Sequence, residues 1–442
     1  MSPDTLLSVM RDRGCTRLLG KRLSPNDNSK NQIYLGGDYS AIHLLPFGRL
    51  NEDASVVASS KRARLKAAVS LSWIDGNGAV EEATHANLIL YPKYPEVRLS
   101  GVLHGLRGRD PSMVIANRDD GRWLFLGIVP DGRILAYACS ASSPCAAWAE
   151  ACASNSPAFG VFREFALTRD DSKQRIQAVL RRIASEGWIR SKRLDGAGRI
   201  SSCEAENCGG YTLEAELGIR PNGRAEPDFE GWEVKQFHVE NLERPVGEQI
   251  TLFTPEPDGG VYSSEGVEAF LRRFGYPDMS GIADRINFGG AHKYGVTHPR
   301  TNLILTLAGW DAAAKKIESV SGGIQLVDHA GTVAAVWSFA ALINHWKRKH
   351  AKAAYVPSTR RLEPREYRYG FKVLSGIGTD FPLVLDALVR GQVFYDPGIK
   401  MEQASGTPII KRRSQFRIRF RDLGSLYHNT EWWNLAPPAV IG

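Results

Sequence analysis

The sequence predicts an α+β chain in two parts: a β-rich, barrel-like N-terminal domain over residues 1–162, then a larger domain over 163–442 with a mixed sheet and flanking helices. Three observations predict it. Short strand-like runs crowd the first third, the composition turns to Ala, Ser, Cys and Pro between Ala138 and Gly160, and strand-like and helix-like segments alternate beyond that point. A chain of 442 residues is also longer than one core usually supports.

The strand-like runs of the first domain are Gln32–Leu35, Ala67–Ile74, Ala86–Tyr91, Val97–Leu103, Trp123–Val129 and Gly132–Tyr137. Such close spacing, with turn formers between, suggests a small barrel or sandwich. The second domain opens with a helix. Ile176, Val179, Leu180 and Ile183 recur on one face of it, and Thr168 with Asp171 has the form of a capping box ahead of it. Strands are then expected at Trp232–Phe237, Leu303–Leu307, Gly323–Val327, Ala353–Pro357 and Arg417–Phe420, and helices at Gly266–Phe274, Trp337–His350 and Asp380–Arg390.

With 43% hydrophobic and 24% charged residues the composition is that of a globular protein, which excludes a disordered chain. Lys and Arg outnumber Asp and Glu by 56 to 48, a net charge of +8 that favours a polyanionic partner. Six cysteines without a basic-then-apolar leader point to the reducing cytoplasm. They are expected as free thiols, and the step from Cys203 to Cys208 is too long for a zinc knuckle. No apolar run reaches the roughly 18 residues of a membrane span, so the chain is read as soluble.

The chemistry concentrates between Gly210 and Phe237. Asp228 follows Pro227, four residues intervene, and Glu233-Val234-Lys235 comes next. Phosphodiester hydrolysis needs a divalent ion to neutralise charge at phosphorus and to activate water, and carboxylates such as Asp228 and Glu233 converge to bind one. Side chains alternate along a strand, so Glu233 and Lys235 share a face while Trp232 and Val234 pack behind. Lys235 can orient the attacking water or stabilise the developing charge, and both roles stay open at this point. In the helix expected ahead of this strand, Glu214 and Glu216 lie about 200° apart, so only one faces the site; Leu213 and Leu217 on the buried side favour Glu214. By itself so short a motif also recurs in surface hairpins.

A longer ordered series surrounds it: Glu186-Gly187-Trp188, Lys192-Arg193, Gly210 to Leu217, Pro227-Asp228-Phe229, Glu233-Val234-Lys235, Thr251 to Thr254, Arg272 to Gly275, Trp337-Ser338-Phe339 and Phe416-Arg417-Ile418. In that order the region from about Gly187 to Tyr427 resembles the MvaI/BcnI group of restriction endonucleases, relatives of the nicking enzyme MutH within the PD-(D/E)xK fold. The resemblance implies a restriction-endonuclease-like mixed sheet with catalytic Asp228, Glu233 and Lys235, completed by Glu214. It also implies Mg²⁺ on Asp228 and Glu233, double-stranded DNA as substrate, and a monomer that cuts one strand at a time to leave 5′-phosphate and 3′-hydroxyl ends. The segment from Tyr395 to Gln403 lacks the family's His pattern for reading bases, so the family's recognition sequence does not carry over.

Expected DNA contacts are Lys192, Arg193, Lys293, Lys400, Lys411, Arg412, Arg413 and Arg417. The densest basic stretch, Trp346 to Lys352 with Arg360, Arg361, Arg365 and Arg368, serves either phosphates or a solvated surface. The stretch from Lys21 to Asp27 with Gln32-Ile33-Tyr34 faintly resembles the start of the EcoRII-type, B3-like DNA-recognition domain, and the basic and aromatic residues at Lys61–Lys66 and Tyr91–Ser100 suit DNA contacts or a modified nucleotide. The resulting expectation is a sequence- or modification-dependent restriction enzyme with a cognate methyltransferase as possible partner. The alternatives are a MutH-like strand-nicking repair endonuclease and a DNA-binding protein without catalysis.

Overall fold

The computed structural model describes residues 1–25, 32–37, 39–56, 63–91, 96–108, 110–154, 156–167, 172–205, 207–220, 228–247, 249–319, 321–346 and 352–437. It forms two compact units, Met1–Asp171 and Ser172–Gly442. The division falls after Asp171 and not after Phe162, because Phe162–Phe165 is itself a strand that pairs with Arg17–Arg22 of the first unit.

In the first unit a seven-stranded sheet runs in the order Ala158–Phe159, Phe162–Phe165, Arg17–Arg22, Trp123–Ile128, Arg133–Cys139, Ser70–Ile74, Val80–Ala83. A five-stranded sheet runs Gln32–Gly36, Glu96–Ser100, Asn87–Tyr91, Leu65–Ala68, Asn51–Glu52. Among the described residues both sheets are open, and the expected barrel does not close. The run Ala67–Ile74, continuous in sequence, breaks at Val69 so that its halves enter different sheets. Leu18, Trp123, Phe125, Tyr137 and Phe165 form a core with Leu6 and Met10 of helix Pro3–Asp12 and Ala146 and Ala149 of helix Pro144–Ala153. Arg122 is fully buried, and its guanidinium donates to the carbonyls of Ser24, Val114, Ile115 and Asp119, which offsets the cost of its burial.

The second unit opens with helix Ser172–Ser185; the capping pair Thr168 and Asp171 lies outside the described residues. Ile176, Leu180 and Ile183 pack with Leu213 and Leu217 against Trp232, Val234, Val356, Tyr367 and Trp433, so two helical segments cover one face of the central sheet. That sheet runs Ile189–Arg190, Arg365–Tyr369, Lys352–Leu362, Lys372–Ile377, Asn429–Asn434, and Glu233–His238 lies parallel to Lys352–Leu362. A three-stranded sheet of Gln249–Phe253, Phe416–Arg419 and Val393–Tyr395 and a four-stranded sheet of Tyr276–Pro277, Arg285–Gly289, Gly398–Glu402 and Ile409–Lys411 complete the parts that concern the site.

Two further expectations change. The helix expected from Trp337 is Phe339–Trp346: Trp337 belongs to strand Val333–Ser338, where its buried indole donates to the Pro255 carbonyl at 3.0 Å. Residues 347–351 of the basic run lie outside the described residues. Cys203 and Cys208, expected as free thiols, form a disulfide, because the turn into helix Cys208–Glu216 brings their Cα atoms to 5.8 Å. No helix among the described residues is long and apolar enough to cross a membrane.

Candidate active site

A tight turn assembles the acidic pair. Phe229 N donates to Trp232 O at 2.9 Å and Trp232 N to Phe229 O at 2.8 Å, with Glu230 and Gly231 between them at φ 46° and 86°. Two successive left-handed residues make the hairpin that matches strand twist, and Gly at the second position adopts it without steric cost. The chain therefore doubles back, and the Asp228 carboxylate accepts the Val234 N–H on Oδ2 at 3.0 Å. The four residues between Asp228 and Glu233 are the length of this turn and its flanks. Pro227 lies outside the described residues.

Glu233 and Lys235 share the strand face opposite the Trp232–Val234 core, and Lys235 Nζ donates to Glu233 Oε1 at 2.7 Å. The Glu233 side chain is 1% exposed and that of Lys235 22%, so the carboxylate sits behind and the ammonium opens outward. Burial pulls the Lys235 pKa down, but the charge and hydrogen bond of Glu233, with the charge of Asp228, outweigh it and hold the group above its ordinary value. In register with Lys235 on the neighbouring strand is Tyr355, whose buried hydroxyl lies 2.8 Å from that of Tyr427. Burial pushes the Tyr355 hydroxyl up to about 12. Gly376 makes room: a Cβ there would lie 2.5 Å from the Tyr427 ring.

Lys235 opens into a cleft of about 380 Å³ that Glu214, Thr251, His238 and Arg360 also line. Glu214 and Glu216 share helix Cys208–Glu216, yet Glu216 is turned away, paired with Lys192 at 2.5 Å and Arg182 at 3.7 Å. The two carboxylates Asp228 and Glu233 are hard oxygen donors of the kind Mg²⁺ takes, usually one or two at a time, with water and phosphate completing its shell. Among the described residues no group of three or more His, Cys, Asp or Glu is placed to hold a metal ion, so this donor set is a pair of acids and not a closed cage.

The expected DNA contacts divide. Lys400, Lys411, Arg412 and Arg413 converge on a second cleft of about 660 Å³, with Arg285 and Arg300. Lys192 is paired with Glu216, and Arg417 with Asp396 at 2.8 Å, so both charges are partly spent inside the fold. Arg193 is exposed on the hairpin Lys192–Leu194/Ile200–Ser202, and Lys293 is half-buried. His292 beside it is not available to a ligand. It is fully buried, stacked on His298 with ring centroids 4.1 Å apart and bonded to Thr301 Oγ1 at 2.9 Å. Tyr355, Tyr427, Arg285 and Arg300 escaped the sequence reading; nothing in their local spacing marks them, since each gains its neighbours from distant segments.

Residues 177–427 match the family described as the MvaI/BcnI restriction endonuclease family. Solved structures similar to the chain include a restriction endonuclease MvaI–cognate DNA substrate complex, at 16% identity over 60% of this chain and 99% of that one, with a TM-score of 0.43. Restriction endonuclease MvaI in the absence of DNA follows at 17% identity, the same coverages and a TM-score of 0.33. The B3 domain of the UbaLAI restriction endonuclease with cognate DNA is 18% identical over 37% of this chain and 98% of that one, with a TM-score of 0.23. No curated protein matches the chain.

Proposed function

The chain belongs to the MvaI/BcnI family of DNA-cleaving restriction endonucleases, and from that premise we propose a Mg²⁺-dependent, site-specific enzyme of the type II kind that hydrolyses phosphodiester bonds of double-stranded DNA. The observation that carries it is the turn-and-strand unit that gathers Asp228, Glu233 and Lys235, with the ammonium facing the cleft. Asp228 and Glu233 would hold Mg²⁺, which when bound neutralises charge at the scissile phosphate and activates water. Lys235, whose ammonium faces the cleft beside Glu233, offers charge to the phosphoryl oxygens. Glu214, on the helix side of the cleft, orients the incoming water. Lys400, Lys411, Arg412 and Arg413 bind the duplex beyond the cut.

The first unit is assigned to DNA recognition. Register aligns Tyr34, Arg98, Ile89 and Lys66 across four strands, and Arg64 and Arg98 both lie over the Tyr91 ring, at 5.9 and 5.7 Å. Lys61 and Arg62 lie outside the described residues. The setting is restriction of foreign DNA in the cytoplasm by a monomer, with a methyltransferase that protects the host's sites.

Plasmid and phage DNA incubated with wild type or Asp228→Ala, in Mg²⁺ or in chelator, tests this. Cleavage by wild type in Mg²⁺ alone is expected, with nicked circles preceding linear product. Cleavage indifferent to both the substitution and the chelator refutes the assignment, and nicked circle as the sole product moves it to a strand-nicking repair enzyme.

A further inference from the structure

Two hairpins of the second unit end side by side. Tyr276–Pro277 pairs with Arg285–Gly289 across the loop 278–284, and Gly398–Glu402 pairs with Ile409–Lys411 across the loop 403–408. The loops are tied together. The Asp284 carboxylate accepts from Ser405 N at 2.8 Å and from Ser405 Oγ at 2.7 Å, and its carbonyl accepts from Ala404 N at 3.1 Å. Inside the first loop the Asp278 carboxylate accepts from Ser280 N, Ser280 Oγ, Ile282 N and Asn287 Nδ2, which fixes the backbone of the tip.

These braced tips carry apolar side chains into solvent: Met279 is 77% exposed, Ile282 50%, and Ile409 on the adjoining strand 47%. Single exposed apolar residues are ordinary, but Met279 lines the wall of the second cleft together with Arg285, Arg300, Arg412 and Arg413, and Ile282 follows three residues on in the same loop. Glu402 is paired with Lys400 and Lys411 at 3.2 Å each, and Arg285 with Asp278 at 3.4 Å, so the cationic character of the cleft rests mainly on Arg300, Arg412 and Arg413. Cationic walls suit phosphates, and a β-ribbon fits the width of the DNA major groove. The apolar group that a base edge presents in that groove is a pyrimidine C5-methyl, of thymine or of 5-methylcytosine.

Resting on the reading of the chain as a DNA endonuclease, we infer that Met279 and Ile282 read pyrimidine C5-methyl groups in the major groove while the arginine-lined cleft grips the adjoining phosphates. The sheet topology connects this reader to the cut. Arg412 and Arg413 lead directly into strand Phe416–Arg419, which pairs with Gln249–Phe253, and Thr251 of that strand lines the catalytic cleft.

The test reads binding and cleavage separately on mixed-sequence duplexes made with thymine, with uracil in its place, or with 5-methylcytosine for cytosine. Wild type in Ca²⁺ should bind methyl-bearing duplexes tighter, about fourfold for each methyl group contacted. A loss with uracil identifies thymine as the base read, and a gain with 5-methylcytosine identifies the modified base. The doubly substituted protein, Met279→Ser with Ile282→Ser, should bind all three alike; both side chains are solvent-exposed, and circular dichroism verifies its fold. Equal binding by wild type, or discrimination that survives in the double variant, overturns the inference. Methyl-dependent binding without cleavage of any duplex in Mg²⁺ would instead remove the nuclease reading and keep this one.

Discussion

Glu214 and Glu216 differ by half a helical turn, and the surroundings of each set what its removal does. Glu214 lines the cleft with Lys235, whereas Glu216 holds Lys192 and Arg182 against the helix. Glu214→Gln should lower kcat by about 10²-fold, the scale of a lost general acid–base group, with little change in Tm. Glu216→Gln should do the reverse, costing about 1 kcal/mol of stability because its pairs are partly solvated. Parallel activity assays and thermal melts decide it, and equal kcat losses would remove Glu214 from the site. A second consequence concerns pH. Burial, with the neighbouring His298, pushes the His292 pKa down to about 3 from an ordinary 6.5. Between those values the unfolded chain binds the proton and the folded chain does not. Stability is therefore full above pH 6.5 and falls on acidification toward 3, by up to roughly 1.4 kcal/mol per unit. His292→Gln should flatten the dependence of Tm on pH below 6.5; an unchanged slope would assign acid sensitivity elsewhere.

At the scale of elements, the turn Phe229–Trp232 is the piece that converts a spacing into a site. The left-handed φ of 86° at Gly231 has nothing within 4 Å of a hypothetical Cβ, so the cost of substitution there is conformational and not steric. Gly231→Ala should cost about 1–2 kcal/mol locally and shift Asp228 off the Val234 N–H, lowering kcat more than it raises KM. Gly231→Asn, whose side chain tolerates this conformation, should retain more activity. Equal kinetics for both variants would show that the turn does not position Asp228. Much of this was legible beforehand. Period-two alternation placed Glu233 and Lys235 on one face, and the Leu213/Leu217 spacing turned Glu214 outward. The helix expected from Trp337 starts two residues later, at Phe339, because an apolar run carries no sign of its own period: Val333–Ser338 is drawn into a sheet by Gly323–Val327.

For the whole molecule, the separation at Asp171/Ser172 leaves each unit with its own buried core. A protein comprising residues 172–442 should fold and keep Mg²⁺-dependent cleavage, while its target choice or affinity changes. Mapping its cut sites against those of the full chain decides whether the first unit reads DNA; identical sites and affinity would end that assignment. The sequence alone determined that Glu233 and Lys235 share a strand face a few residues from Asp228, and it determined the family, because these depend on spacings within a few residues and on an ordered series of short motifs. Only the tertiary structure decided that Arg285 and Arg300 line one cleft with Arg412 and Arg413, that Tyr355 meets Tyr427, that His292 is sealed inside, and that both sheets of the first unit stay open among the described residues. The reason is physical: local periodicity specifies which way a side chain points along its own element, whereas what it meets there depends on how segments distant in the chain are brought together by burial of their apolar faces.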